Sequence, residues 1–188
     1  MKIKYLIKSL IYPGIVAAVF GFLSISFSTL LFSIPDDGLV INFLANQVIT
    51  DEIESQGTPF ADAAGPVCNV FGYSVVTGLA ITLIFGFGWV LISHFLNVDG
   101  PGKSKIYSIY WITNSAAFAG LLIILSLFVF FGGTTFLGSQ YITGGGATKL
   151  TIGLLVFYIL MYYLIVLLGT ARHNRSSVLL AFKLPGDL

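Results

Sequence analysis

Apolar residues run along this chain in four long blocks separated by short polar clusters. The blocks cover about Ile11–Ile34, Val67–Leu96, Ile106–Phe131 and Leu150–Thr170, and none contains Asp, Glu, Lys or Arg. A helix needs about 20 mostly apolar residues to cross a hydrocarbon core about 30 Å thick, and each block is long enough. In lipid every backbone donor and acceptor must be satisfied without water, which leaves helices or closed barrels. The alternating pattern of a barrel strand is absent. The pattern predicts an all-α, polytopic membrane protein: a four-transmembrane-helix bundle, with residues 1–188 forming one membrane domain.

The clusters between the blocks set an orientation. Short cytoplasmic loops collect Lys and Arg. Lys2, Lys4 and Lys8 precede the first block, Lys103 and Lys105 join the second to the third, and Arg172, Arg175 and Lys183 follow the fourth. Only Lys149 falls on the other side. Both termini are expected in the cytoplasm, with a tail over 171–188 and outer loops over 35–66 and 132–149. Asp36, Asp37, Asp51, Glu52, Glu54 and Asp62 all lie in the first outer loop. The basic start of the first block resembles a signal peptide, but its apolar run exceeds the 7–15 residues of such a segment and no small-x-small site closes it. It is read as a retained span.

The first outer loop carries its own helical rhythm. Leu39, Val40, Phe43, Leu44 and Val48 recur at helix spacing after the turn Pro35-Asp36-Asp37-Gly38, and Asp36 or Asp37 can serve as the cap. A short amphipathic helix over Gly38–Ser55, lying on the outer membrane surface or capping the bundle, is expected. Gly57–Pro66 reads as loop. The second outer loop holds six glycines, among them Gly144-Gly145-Gly146, without the spacing of a phosphate-binding loop, and reads as a turn. Asp99-Gly100-Pro101-Gly102 is a tight turn joining the second and third spans.

Composition sharpens the picture. The chain is 56% hydrophobic and 9% charged, against about 25% charged in soluble domains, and its mean hydropathy is +0.95. A single cysteine, Cys68, excludes an internal disulfide and a thiolate-rich metal site. Helices in lipid associate through small residues and a few polar contacts. Ala17, Gly21, Ser24 and Ser28 line one face of the first span; Ser74, Gly78, Thr82 and Gly86 line the second; Thr113, Ala116, Ala117 and Gly120 line the third. These are the expected packing or subunit-interface residues, with Asn114 as the one amide inside the third span and an expected interhelical hydrogen-bonding group. Gly86-Phe87-Gly88 permits a kink. The fourth span is bulky (Leu154, Tyr158, Leu160, Tyr162) and is expected to face lipid or another subunit. Tyr and Trp near span ends, including Tyr12, Trp89, Tyr110 and Trp111, read as an interfacial belt.

No catalytic constellation emerges. His94 and His173 are the only histidines, too few ligands for a metal or haem. No carboxylate lies inside a span, so neither a coupled transporter nor a Ser–His–Asp hydrolase can be assembled there. Basic patches for nucleic acid are absent, and no cofactor is implied. The layout resembles claudin-like and other tetraspan proteins in topology alone. The first outer loop has no Trp and the chain no paired Cys, so no family is assigned. The expected role is a non-catalytic integral membrane subunit of a larger assembly in a cell or inner membrane, with lipid and other membrane subunits or further copies as partners. The alternative is an oligomeric channel or small-solute permease, its pore lined by Ser24, Ser28, Ser74, Thr77, Thr82 and Asn114. A membrane enzyme ranks third.

Overall fold

In the computed structural model, backbone is described for residues 3–33, 60–95, 103–132, 142 and 144–170, and side chains for 10–26, 69–93, 109–132, 142 and 144–169. Among these residues the fold is all helix, without strands. The elements are α1 (Ile3–Ser33), α2 (Phe60–Phe95), α3 (Lys103–Phe130) and α4 (Gly144–Thr170). The segment Gly38–Ser55, with Leu39, Val40, Phe43, Leu44 and Val48, lies outside the described residues.

Three helices contain stretches long and apolar enough to cross a membrane: Asn69–Ser93, Ile109–Phe130 and Gly144–Gly169. The described side chains of α1 form a shorter apolar stretch, Leu10–Ser26. Each helix turns large apolar side chains outward, among them Val19 and Phe22 on α1, Val76 and Ile84 on α2, Ile112 and Ile124 on α3, and Ile152 and Val156 on α4. Monomeric soluble proteins rarely expose apolar surface on this scale, whereas lipid accepts it.

Helix ends follow local chemistry. Pro13 stands inside α1, so the carbonyl four residues back loses its usual donor. α3 ends ahead of Gly132-Gly133, although the Phe131 amide still donates to the Leu127 carbonyl at 3.1 Å. All four helices begin earlier than the apolar blocks imply, two of them through sequence read as loop or turn. α2 starts at Phe60, so Phe60–Pro66, expected as loop, is helical, and Pro66 inside it leaves the carbonyl four residues back without its usual donor. α4 starts at Gly144, so the triple glycine expected as a turn is the first turn of a helix. The Thr148 hydroxyl donates to the Gly144 carbonyl at 2.9 Å, occupying an acceptor within that turn.

The helices contribute to two compact units. One comprises Met1–Phe20, Ala80–Gly120 and Tyr158–Leu188; the other comprises Gly21–Leu79 and Leu121–Phe157. The core of the first is aromatic and branched: Trp89, Val90, Trp111, Phe118, Tyr158, Met161, Tyr162, Ile165 and Val166 are buried. The core of the second is smaller in its side chains, with Val70, Val75, Leu122, Val129, Phe130, Ala147 and Leu154. Buried hydroxyls there bond within their own helices: Ser74 Oγ donates to the Val70 carbonyl at 2.7 Å and Ser126 Oγ to the Leu122 carbonyl at 2.8 Å. A hydroxyl folded back this way adds no unsatisfied group to an apolar interior.

The expectation that the fourth span faces outward most is overturned. Of the three long spans, α4 has the largest buried share, 39%, against 33% for α2 and 22% for α3. Leu154, Tyr158 and Tyr162 are buried, while Leu160 is exposed. On its inward row the bulk of α4 meets small residues of its neighbour, as Ile165 does at Gly86, and fills space there.

Candidate functional site

A set of directed contacts lies in the first unit, around Tyr162. Residues 154, 158, 161, 162, 165 and 169 recur at spacings of three and four and form the inward row of α4. Tyr162 projects from that row between two aromatic rings of α3. Its ring is stacked on Phe118, with centroids 4.3 Å apart and planes inclined by 16°. It is also stacked on Trp111, at 5.9 Å and 10°. Trp111 in turn meets Trp89 of α2 at 5.2 Å in a tilted arrangement, and Phe118 meets Phe85 at 6.1 Å. Such pairs contribute about 0.5–1.5 kcal/mol beyond the area they bury.

The phenol of Tyr162 is held at its polar end as well. Asn114 Nδ2 donates to Tyr162 Oη at 2.7 Å, and Ser115 Oγ shares a hydrogen bond with the same oxygen at 3.2 Å. Positions 111, 114, 115 and 118 lie along one face of α3, so a single face presents two rings, an amide and a hydroxyl to one tyrosine. This cluster contains no carboxylate, imidazole, thiol or amine. Its chemistry is orientation: three neutral polar groups and stacked rings that define one register between α3 and α4. Among the described residues there is no group of three His, Cys, Asp or Glu able to hold a metal. His94 lies in the last turn of α2 and Cys68 within the same helix, both with side chains outside the described residues, as is all of His173.

Trp89 and Trp111, expected in the interfacial belt, belong to this core at 1% and 5% exposure. Tyr12 and Tyr110 do face outward. The difference is one of helix face. Trp89 shares the inward side of α2 with Thr82 and Gly86, and Trp111 is one turn from Asn114 and Ser115.

Two glycines let α4 approach its neighbours in this unit. A Cβ added at Gly86 would lie 3.0 Å from Ile165 Cγ2 and 3.5 Å from Ile165 Cβ. A Cβ at Gly169 would run into Val90 Cγ2, with Val90 Cγ1 at 3.0 Å and Pro13 Cγ at 3.2 Å. Gly86 thus serves close packing, and α2 is helical through Gly86-Phe87-Gly88. Ile165 is fully buried and β-branched, so it has little rotamer freedom with which to yield. Gly86→Ala is expected to destabilise the protein by about 1–2 kcal/mol despite alanine's better helix propensity. Thermal unfolding in detergent measures this, and the penalty should largely vanish in an Ile165→Ala background. Gly88→Ala, which meets nothing within 4 Å, should be neutral. Equal penalties at Gly86 and Gly88 would rule out the contact as the cause.

The remaining expected packing residues divide by helix. On α1, Ala17 is half-buried, and Gly21 and Ser24 are buried. A Cβ at Gly21 would meet only Leu79 Cδ2, at 3.9 Å. Ser28 lies in α1 with its side chain outside the described residues. On α2, Ser74, Gly78, Thr82 and Gly86 are all buried. On α3 the set splits. Asn114 is half-buried and bonded to Tyr162, whereas Thr113, Ala116 and Ala117 are exposed, and Gly120 has nothing within 4 Å of a Cβ. Among the described residues the third small-residue row therefore makes no close contact. The aromatic face of α3 makes its contacts instead. No family model, no curated protein and no solved structure matches this chain.

Proposed function

We propose that this chain is a non-catalytic integral membrane subunit of a larger membrane assembly, with α1 as a fourth span and both termini in the cytoplasm. α1 is 31 residues long, beyond the roughly 20 that a span requires. The basic residues of its start, of the α2–α3 connection and of the tail support the orientation. The observation that carries the reading is the outer face of α3. This helix has the smallest buried share of the three long spans and turns Trp111 and Phe118 inward, while Thr113, Ala116 and Ala117 on the opposite face are exposed and the half-buried Gly120 has open space where a Cβ would stand. Small residues on a membrane helix allow another backbone to come close; lipid alone gives no reason to place them outward.

The channel alternative asks for polar side chains where subunits would surround an axis. Ser24, Ser74 and Thr82 are instead buried inside the chain, and Asn114 is engaged with Tyr162. Thr77 is exposed, a thin basis for a pore. These placements favour the subunit reading.

Two experiments test it. Mild-detergent purification of the tagged chain, followed by native mass spectrometry, is expected to recover other subunits or further copies in fixed stoichiometry. Ala117→Trp and Gly120→Trp should shed them while the chain itself stays folded; a monodisperse monomer from both wild type and variants would count against the proposal. For orientation, Ser55→Cys and Ser176→Cys are placed singly in a Cys68→Ser background. An impermeant maleimide should label Ser55→Cys in intact cells and Ser176→Cys only after permeabilisation. Labelling of both from the same side would overturn the map.

A further inference from the structure

We draw no further inference here: the strongest candidate, the outward small-residue face of α3 at Thr113, Ala116 and Ala117, already carries the proposed function, and nothing in the structure shows what covers it.

Discussion

Gly169→Leu is expected to prevent accumulation of folded protein, the largest effect of any single substitution at a described glycine. The reasoning starts from the Cβ alone. At Gly169 it would overlap Val90 Cγ2 and crowd Val90 Cγ1 and Pro13 Cγ. Val90 is β-branched and fully buried, and a proline ring has no rotamer to escape into, so neither neighbour can turn aside. Relief requires backbone movement of α1 or α2 against α4. Overpacking of this kind costs about 1–3 kcal/mol for one or two added carbons and more for a leucine side chain, against a total stability of about 5–15 kcal/mol. Gly169→Ala should therefore be measurably destabilised, and Gly169→Leu should be lost from the monodisperse peak in detergent. Val90→Ala removes both offending methyls and should rescue Gly169→Ala. Gly153→Leu is the control: that glycine is exposed, with nothing within 4 Å of a Cβ. If Gly169→Leu and Gly153→Leu accumulate equally well, the three-helix contact at Gly169 is not what it is taken to be.

That contact was hard to read from the chain because the rule of small residues at helix interfaces describes only one side of an interface. Ser74, Gly78, Thr82 and Gly86 announce a close-packing face on α2 by their spacing. What fills that face is large, and Ile165 against Gly86 shows the fit. The bulk of α4 points to burial as readily as to lipid exposure, and one sequence does not decide between them. Gly169 left a fainter signal, a lone glycine closing the row Leu154, Tyr158, Met161, Tyr162 and Ile165 at helix spacing. α3 is the converse case: its small residues form as good a row as those of α2, yet they face outward, because Trp111, Phe118, Asn114 and Ser115 offer α4 far more contact on the opposite face.

The helices themselves were legible for a physical reason. Lipid leaves the backbone almost no alternative, so long uncharged blocks become helices whatever their detailed composition. Apolarity, however, measures the part that suits hydrocarbon and not the part that is helical. α2 and α4 both extend several residues beyond their apolar blocks at the N-terminal end, through Ala-rich and Gly-rich sequence respectively. Asn114 drew attention as an amide in an apolar span, since such a group needs a partner. Its partner did not, because Tyr158, Tyr162 and Tyr163 are equivalent until the inward row of α4 is known.

Tyr162→Ala carries the second large effect, and its size can be divided. Removing the ring deletes two stacked contacts and leaves a cavity between Trp111 and Phe118, at a cost of about 3–5 kcal/mol for a buried aromatic residue. Removing only the hydroxyl, in Tyr162→Phe, keeps both stacks and loses the bonds to Asn114 and Ser115. Interhelical hydrogen bonds in membranes contribute about 0.6 kcal/mol on average and rarely exceed 2, so Tyr162→Phe should cost about 1 kcal/mol. Part of that cost is the stranded amide of Asn114. Asn114→Leu combined with Tyr162→Phe should therefore lose less than the sum of the two single variants, since neither partner is then left unpaired. The protein supplies its own probe: both of its tryptophans, Trp89 and Trp111, stand in this cluster. Tryptophan emission should shift to the red in Tyr162→Ala, as Trp111 loses its covering ring, and stay in place in Tyr162→Phe. If Tyr162→Ala matches wild type in both emission and unfolding temperature, the cluster does not fix α3 against α4. If Tyr162→Phe is as damaging as Tyr162→Ala, the hydroxyl rather than the stacked ring dominates, and the apportionment between packing and hydrogen bonding is reversed.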